Sequence, residues 1–200
     1  AGSYNLFKGC INLESVGNIV IDYNNGTTWA NGNAPLRSEG LFENCTSLKK
    51  IGNIKIFNLN KNQESSLNKN GQGYVSFNNL FKNCSNLISY GNIEVEGTKI
   101  SLLNSAFYGC SLLTTIKIPS NLRKDSLNLS SLCRDCTNAT EISFLESIES
   151  DFSDVNFDYT FAGCENLTNI IGLCNPLPVN IQCEATFSDC KNLLLYYHID

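Results

Sequence analysis

The segment LFENCTSLKKIGNIKI, Leu41 to Ile56, occurs seven times in degenerate form, and a chain that repeats itself at this scale folds as stacked copies of one unit. Its anchor is a cysteine. Cys10, Cys45, Cys84, Cys110, Cys136, Cys164 and Cys190 share one repeat position, at intervals of 35, 39, 26, 26, 28 and 26 residues. Three residues before it stand Phe7, Phe42, Phe81, Phe107, Cys133, Phe161 and Phe187, and three after it Leu13, Leu48, Leu87, Leu113, Ala139, Leu167 and Leu193. Six after it come Val16, Ile51, Tyr90, Ile116, Ile142, Ile170 and Tyr196. These positions read as the rungs of one continuous core, because each copy can bury its apolar face only against its neighbours.

The three-residue step from Phe to Cys, with Leu or a small residue just ahead of the Phe, predicts a short helical turn packed inward. Next comes an alternating run, seen as Ile19-Val20-Ile21, Ile54-Lys55-Ile56, Ile93-Glu94-Val95, Ile116-Lys117-Ile118 and Ile142-Ser143-Phe144. Period-two alternation of β-branched residues predicts a strand, and strands stacked copy on copy predict a parallel sheet. A second short run precedes the turn, as in Val75-Ser76-Phe77, Leu127-Asn128-Leu129, Val155-Asn156-Phe157 and Ile181-Gln182-Cys183. The expected fold is an α/β repeat protein: a solenoid of about seven coils with a parallel β-sheet and short helical corners. It forms one domain over residues 1–200, interrupted by polar loops at 22–34 and 58–73. The chain opens at a corner and ends in a strand, so more protein is expected upstream.

A net charge of −5, with only 14 Lys and Arg, argues against a nucleic-acid partner, which needs a basic surface. No apolar run is long enough for a membrane-crossing helix, so insertion by this segment is not expected. Ten cysteines would suit a disulfide-stapled secreted domain, but their ladder spacing favours buried thiols acting as small hydrophobes. Disulfides between neighbouring rungs are the alternative.

The AF/LF-x-x-C-x-x-L-x-x-I pattern, as AFYGCSLLTTIKIP at Ala106 to Pro119 and TFAGCENLTNI at Thr160 to Ile170, resembles the BspA-type, or Treponema pallidum-type, leucine-rich repeat. The resemblance covers essentially the whole chain outside the insertions, and the fifth copy departs most, with Cys133 for Phe and Ala139 for Leu. It implies a curved solenoid from a bacterial surface protein, extracellular and cell-surface attached, associated with adhesion through protein binding.

The residues left over by the core are the candidates for contact. On the strand face these are Val20, Lys55, Glu94, Lys117 and Ser143, then Asp22, Phe57, Glu96, Pro119 and Leu145 two positions on. Trp29, the only Trp, reads either as a partner contact in an exposed loop or as a side chain folded back on its own coil. The recurrent Asn two residues past the ladder Cys reads as an amide ladder satisfying loop backbone. N-x-S/T triplets start at Asn25, Asn44, Asn83, Asn128, Asn138 and Asn166; most fall inside the repeat core, and an Asn-rich chain makes them by chance.

Asp151, Asp154 and Asp158 lack the calcium-loop signature and read as a solvated face. His198, the only histidine, has no partner set for zinc or a Cys-His pair, and Cys133-x-x-Cys136 is explained by packing. With no catalytic motif, no cofactor and no metal site, the expectation is a non-enzymatic binding module for a protein or other macromolecule. A structural spacer and a carbohydrate-binding module are the alternatives.

Overall fold

A computed structural model describes residues 3–22, 36–57, 74–149, 151–173 and 181–194, and in it every paired strand is parallel to its neighbour. Strands are numbered in chain order. The first three coils each place two strands after the corner: β1 (Ser15–Val16) and β2 (Ile19–Asp22), β4 (Lys50–Ile51) and β5 (Ile54–Phe57), β7 (Ser89–Tyr90) and β8 (Ile93–Val95). The next three coils place one each: β10 (Thr115–Ile118), β12 (Glu141–Ile148) and β14 (Asn169–Leu173). The leg before the corner supplies β3 (Leu36–Arg37), β6 (Tyr74–Ser76), β9 (Lys99–Leu102), β11 (Leu127–Asn128), β13 (Val155–Asn156) and β15 (Ile181–Gln182). These six form one sheet in the order β15-β13-β11-β9-β6-β3, so each coil adds its strand beside the previous one. The stacked parallel coils are the solenoid that the repeat predicts.

The corners are not helical: no helix is present among the described residues. Each corner is a run of tight turns. In the second coil Glu43 N–H donates to Gly40 O, Cys45 N–H to Phe42 O and Leu48 N–H to Cys45 O, all at 3.0–3.1 Å. Two residues per corner are left-handed, at five and at one position before the ladder Cys. The first set is Asn5, Gly40, Asn79, Ser105, Ser131, Tyr159 and Ala185; the second is Gly9, Asn44, Asn83, Gly109, Asp135, Gly163 and Asp189. Left-handed residues stop a right-handed helix from propagating. They also aim alternate N–H groups at the next coil: Phe42 N–H donates to Leu80 O at 2.9 Å and Asn44 N–H to Lys82 O at 2.8 Å. Hydrogen bonds between coils thus replace those a helix would make within itself.

Inside, the rungs stack as the repeat requires. Phe7, Phe42, Phe81 and Phe107 follow one another with ring centroids 5.1, 5.7 and 5.5 Å apart. The stack is interrupted at Cys133, and Phe161 and Phe187 pair again at 5.5 Å. Burial of each large side chain contributes roughly 1.5–3 kcal/mol. The ladder cysteines do more than fill space. Cys84 Sγ donates to Phe42 O at 3.0 Å, Cys110 to Phe81 O at 3.1 Å, Cys136 to Phe107 O at 3.0 Å and Cys164 to Cys133 O at 3.0 Å. Each thiol therefore clips its coil to a carbonyl one coil back. Burial pushes the Cys84 thiol up to about 12, so the S–H donor persists at neutral pH.

Candidate functional site

The face formed by β2, β5 and β8 presents an outward row in strict register, Val20 beside Lys55 beside Glu94. A second set, β10, β12 and β14, continues with Lys117 beside Ser143 beside Ile171. Val20 is 62% exposed, and Glu94 and Lys117 are exposed as their alternation requires. Lys55 reaches Glu96 at 2.7 Å and lies over the half-buried Phe57 ring at 5.8 Å from its centroid. Glu96, and secondarily Glu94, hold the Lys55 ammonium above the usual lysine range.

Two expected contacts are not available at the surface. Ser143 is only 9% exposed, because a small side chain between Lys117 and Ile171 sits below their level. Pro119 is also buried, whereas Leu145 is 56% exposed. Trp29, the loop 58–73 and all of 22–34 except Asp22 lie outside the described residues, as do Cys174, Tyr196 and His198.

Between the two strands of each early coil lies a feature that repeat spacing alone does not reveal. In the first three coils the rung six past the ladder Cys is followed by Gly-Asn: Gly17-Asn18, Gly52-Asn53 and Gly91-Asn92. These dipeptides interlock. Asn53 N–H donates to Asn18 Oδ1 and Asn92 N–H to Asn53 Oδ1, both at 2.9 Å. A Cβ on Gly52 would stand 2.4 Å from Asn18 Oδ1 and 2.7 Å from Asn18 N, so only glycine lets the coils approach. The fourth coil runs Thr115-Ile116-Lys117-Ile118-Pro119 without the dipeptide. Its strand β10 consequently does not pair with β8, and the face divides into sheets β2-β5-β8 and β10-β12-β14. On the opposite leg and at the corner the coils remain joined, by β6 to β9 and by Phe81 N–H to Ala106 O at 2.7 Å.

Tyr90 fills the root of this seam. Its hydroxyl donates to Lys117 O at 3.1 Å and accepts from Lys117 N–H at 2.7 Å, standing in for a missing strand. Its ring packs 5.7 Å from Phe81 and 5.2 Å from Phe107, and burial pushes the hydroxyl far above the ordinary tyrosine range. Above it lies a cleft of about 210 Å³ lined by Ile88, Tyr90, Ile93, Lys117, Pro119 and Leu145 among others.

The turn corners carry a second patterned surface. Lys82 and Arg134 flank the Tyr108 ring at 5.5 and 5.9 Å, Arg134 also covers Tyr159 at 5.3 Å, and Tyr159 donates to Glu184. The asparagines past the ladder Cys are committed to structure: Asn86, Asn138 and Asn166 donate to Thr46 O, Ser111 O and Thr137 O at 2.7–2.8 Å. Asp151 pairs with Lys124, and Asp158 Oδ1 accepts from Glu184 N–H at 2.8 Å. Among the described residues no cluster of His, Cys, Asp or Glu is arranged to hold a metal ion, and no helix is long and apolar enough to cross a membrane.

No protein-family model matches the chain, and neither does any curated protein. Among solved structures, the crystal structure of a T. pallidum leucine-rich repeat protein is similar at 17% identity, over 88% of this chain and 78% of that one, with a TM-score of 0.45. The repeat architecture described here rests on the chain's own ladders.

Proposed function

We propose that the chain is a non-catalytic, extracellular binding module of a cell-surface protein, adhering to a protein partner through the strand face of its solenoid. The observation that carries this reading is the outward row Val20, Lys55, Glu94 and Lys117, an ordered, mixed apolar and charged surface that the core does not use. Stacked repeats bind macromolecules through many modest contacts spread over such rows. The surface setting draws its support from the pattern shared with BspA-type repeats, as in AFYGCSLLTTIKIP.

The test is binding of the immobilised chain to a panel of purified extracellular-matrix proteins and, in parallel, to a glycan array. The expected result is capture of a matrix protein that Val20→Glu weakens without lowering thermal stability. Silence on both panels, or recognition of glycans alone, would overturn the proposal.

A further inference from the structure

We propose that the seam between the third and fourth coils is the docking point for an extended acidic segment of the partner, which seats one large apolar side chain in the cleft and a carboxylate on Lys117. This rests on the protein-binding reading above and assigns it a place and a chemistry. Three observations converge on it.

The first is size and lining. At about 210 Å³ the cleft falls below the roughly 300–1,000 Å³ of pockets that enclose a whole small ligand. It suits a single anchoring side chain of a larger partner, the way interfaces concentrate their affinity. Its lips are apolar and open, Ile88 at 54% and Leu145 at 56% exposure, and Tyr90 and Pro119 line it below.

The second is the backbone. Ile54 N–H donates to Asn92 O at 2.8 Å and Glu96 N–H to Ile56 O at 2.9 Å, so Asn92, Glu94 and Glu96 direct their peptide groups at β5. By the alternation of a strand, Ile93 and Val95 direct theirs at the seam. Val95 O is taken by Asn121 Nδ2 at 2.7 Å, while Ile93 N–H and O meet no protein group among the described residues. An extended chain lying along β8 supplies the matching donor and acceptor, as in strand addition to a sheet edge.

The third is charge. On the β8 side both acids are drawn toward Lys55, Glu96 by direct contact at 2.7 Å and Glu94 by its field. On the β10 side Lys117 forms no ion pair among the described residues. The cleft therefore offers one uncommitted cation beside an apolar socket, which favours an acidic occupant over a basic one.

The test titrates the ¹⁵N-labelled chain with a capped hexapeptide alternating glutamate with phenylalanine, and with its lysine-for-glutamate counterpart. The acidic peptide is expected to shift the amide signals of Tyr90, Ile93 and Lys117. Lys117→Glu should weaken it roughly tenfold or more, the equivalent of about 1.4 kcal/mol, and Lys50→Glu on β4 should leave it unchanged. Lys117→Glu folds normally on this reading, since Tyr90 holds the Lys117 backbone and not its side chain. Equal binding of the lysine peptide, shifts confined to other coils, or indifference to Lys117→Glu would overturn the proposal. If a matrix protein is captured with no dependence on Lys117, the seam proposal fails and the adhesion reading stands; if neither matrix proteins nor the peptide bind, both fail.

Discussion

Replacing Cys110 separates two roles that a buried cysteine can play. Its side chain is fully buried and its Sγ donates to Phe81 O at 3.1 Å, an acceptor that also receives Cys84 N–H at 3.0 Å. Cys110→Ala removes a sulfur-sized volume and the thiol's bond to Phe81 O, leaving that of Cys84 N–H. Loss of transfer free energy with a small cavity costs roughly 1–1.5 kcal/mol. The lost bond adds about 0.5–1 kcal/mol, toward the low end because S–H is a weak donor. The sum, about 2 kcal/mol, corresponds to roughly 4–8 °C in the melting temperature of a chain this size.

Cys110→Ser discriminates. If the thiol were only a small hydrophobe, a buried hydroxyl would cost more than a methyl, and Ser would be the less stable variant. If the donor matters, Ser keeps it and should exceed Ala by about 0.5–1 kcal/mol. Buried hydroxyls already make such bonds between coils here, from Thr160 to Leu129 O at 2.9 Å and from Thr186 to Phe157 O at 3.0 Å. Thermal and urea melts of the two variants, side by side, read the difference. Ser falling below Ala would refute the donor role and leave the ladder as packing alone.

Gly52→Ala should destabilise by roughly 1–3 kcal/mol in urea melts, since the new methyl meets Asn18 backbone at 2.7 Å; Gly17→Ala, with nothing within 4 Å, should stay within about 0.5 kcal/mol. Ala185→Gly should stabilise by about 0.5–1 kcal/mol, reversing the usual order, because Ala185 holds φ at 47° in an exposed turn. Alkali should destabilise the fold: Cys84 rises from 9.0 to about 12, so the folded state keeps a proton that the unfolded state loses. That contribution is complete below pH 9 and lost as pH climbs toward 12, and Cys84→Ser should flatten the decline measured by melts across that window.

The core was readable because its period is rigid: Phe42, Cys45 and Leu48 recur at fixed offsets, and every counterpart in the coils from Phe81 to Leu167 is buried. The corner conformation was not, since a three-residue step suits a helical turn and a run of tight turns equally. The discriminating signal was present in residues that tolerate positive φ, such as Gly9, Asn44, Asn83, Gly109 and Asp135 immediately before the cysteine. Alternation assigned Lys117 and Glu94 to the outward side correctly, but alternation sets direction and not depth, so Ser143 sinks between larger neighbours. The seam was written in the Gly-Asn dipeptide, present after Val16, Ile51 and Tyr90 and missing after Ile116. It went unread because each coil scans as a good repeat when taken alone, and the mismatch exists only between neighbours.

Whether the array is open at that one place can be decided by hydrogen exchange at two equivalent amides. Ile54 N–H, bonded to Asn92 O at 2.8 Å, and Ile93 N–H, facing the seam, occupy the same position one coil apart. Native-state exchange followed by NMR should find Ile93 exchanging faster than Ile54 by about a hundredfold or more, as expected when one amide is bonded in a sheet and the other is not. Equal protection of the two would mean that the seam is closed by a partner strand, and that no docking edge exists there.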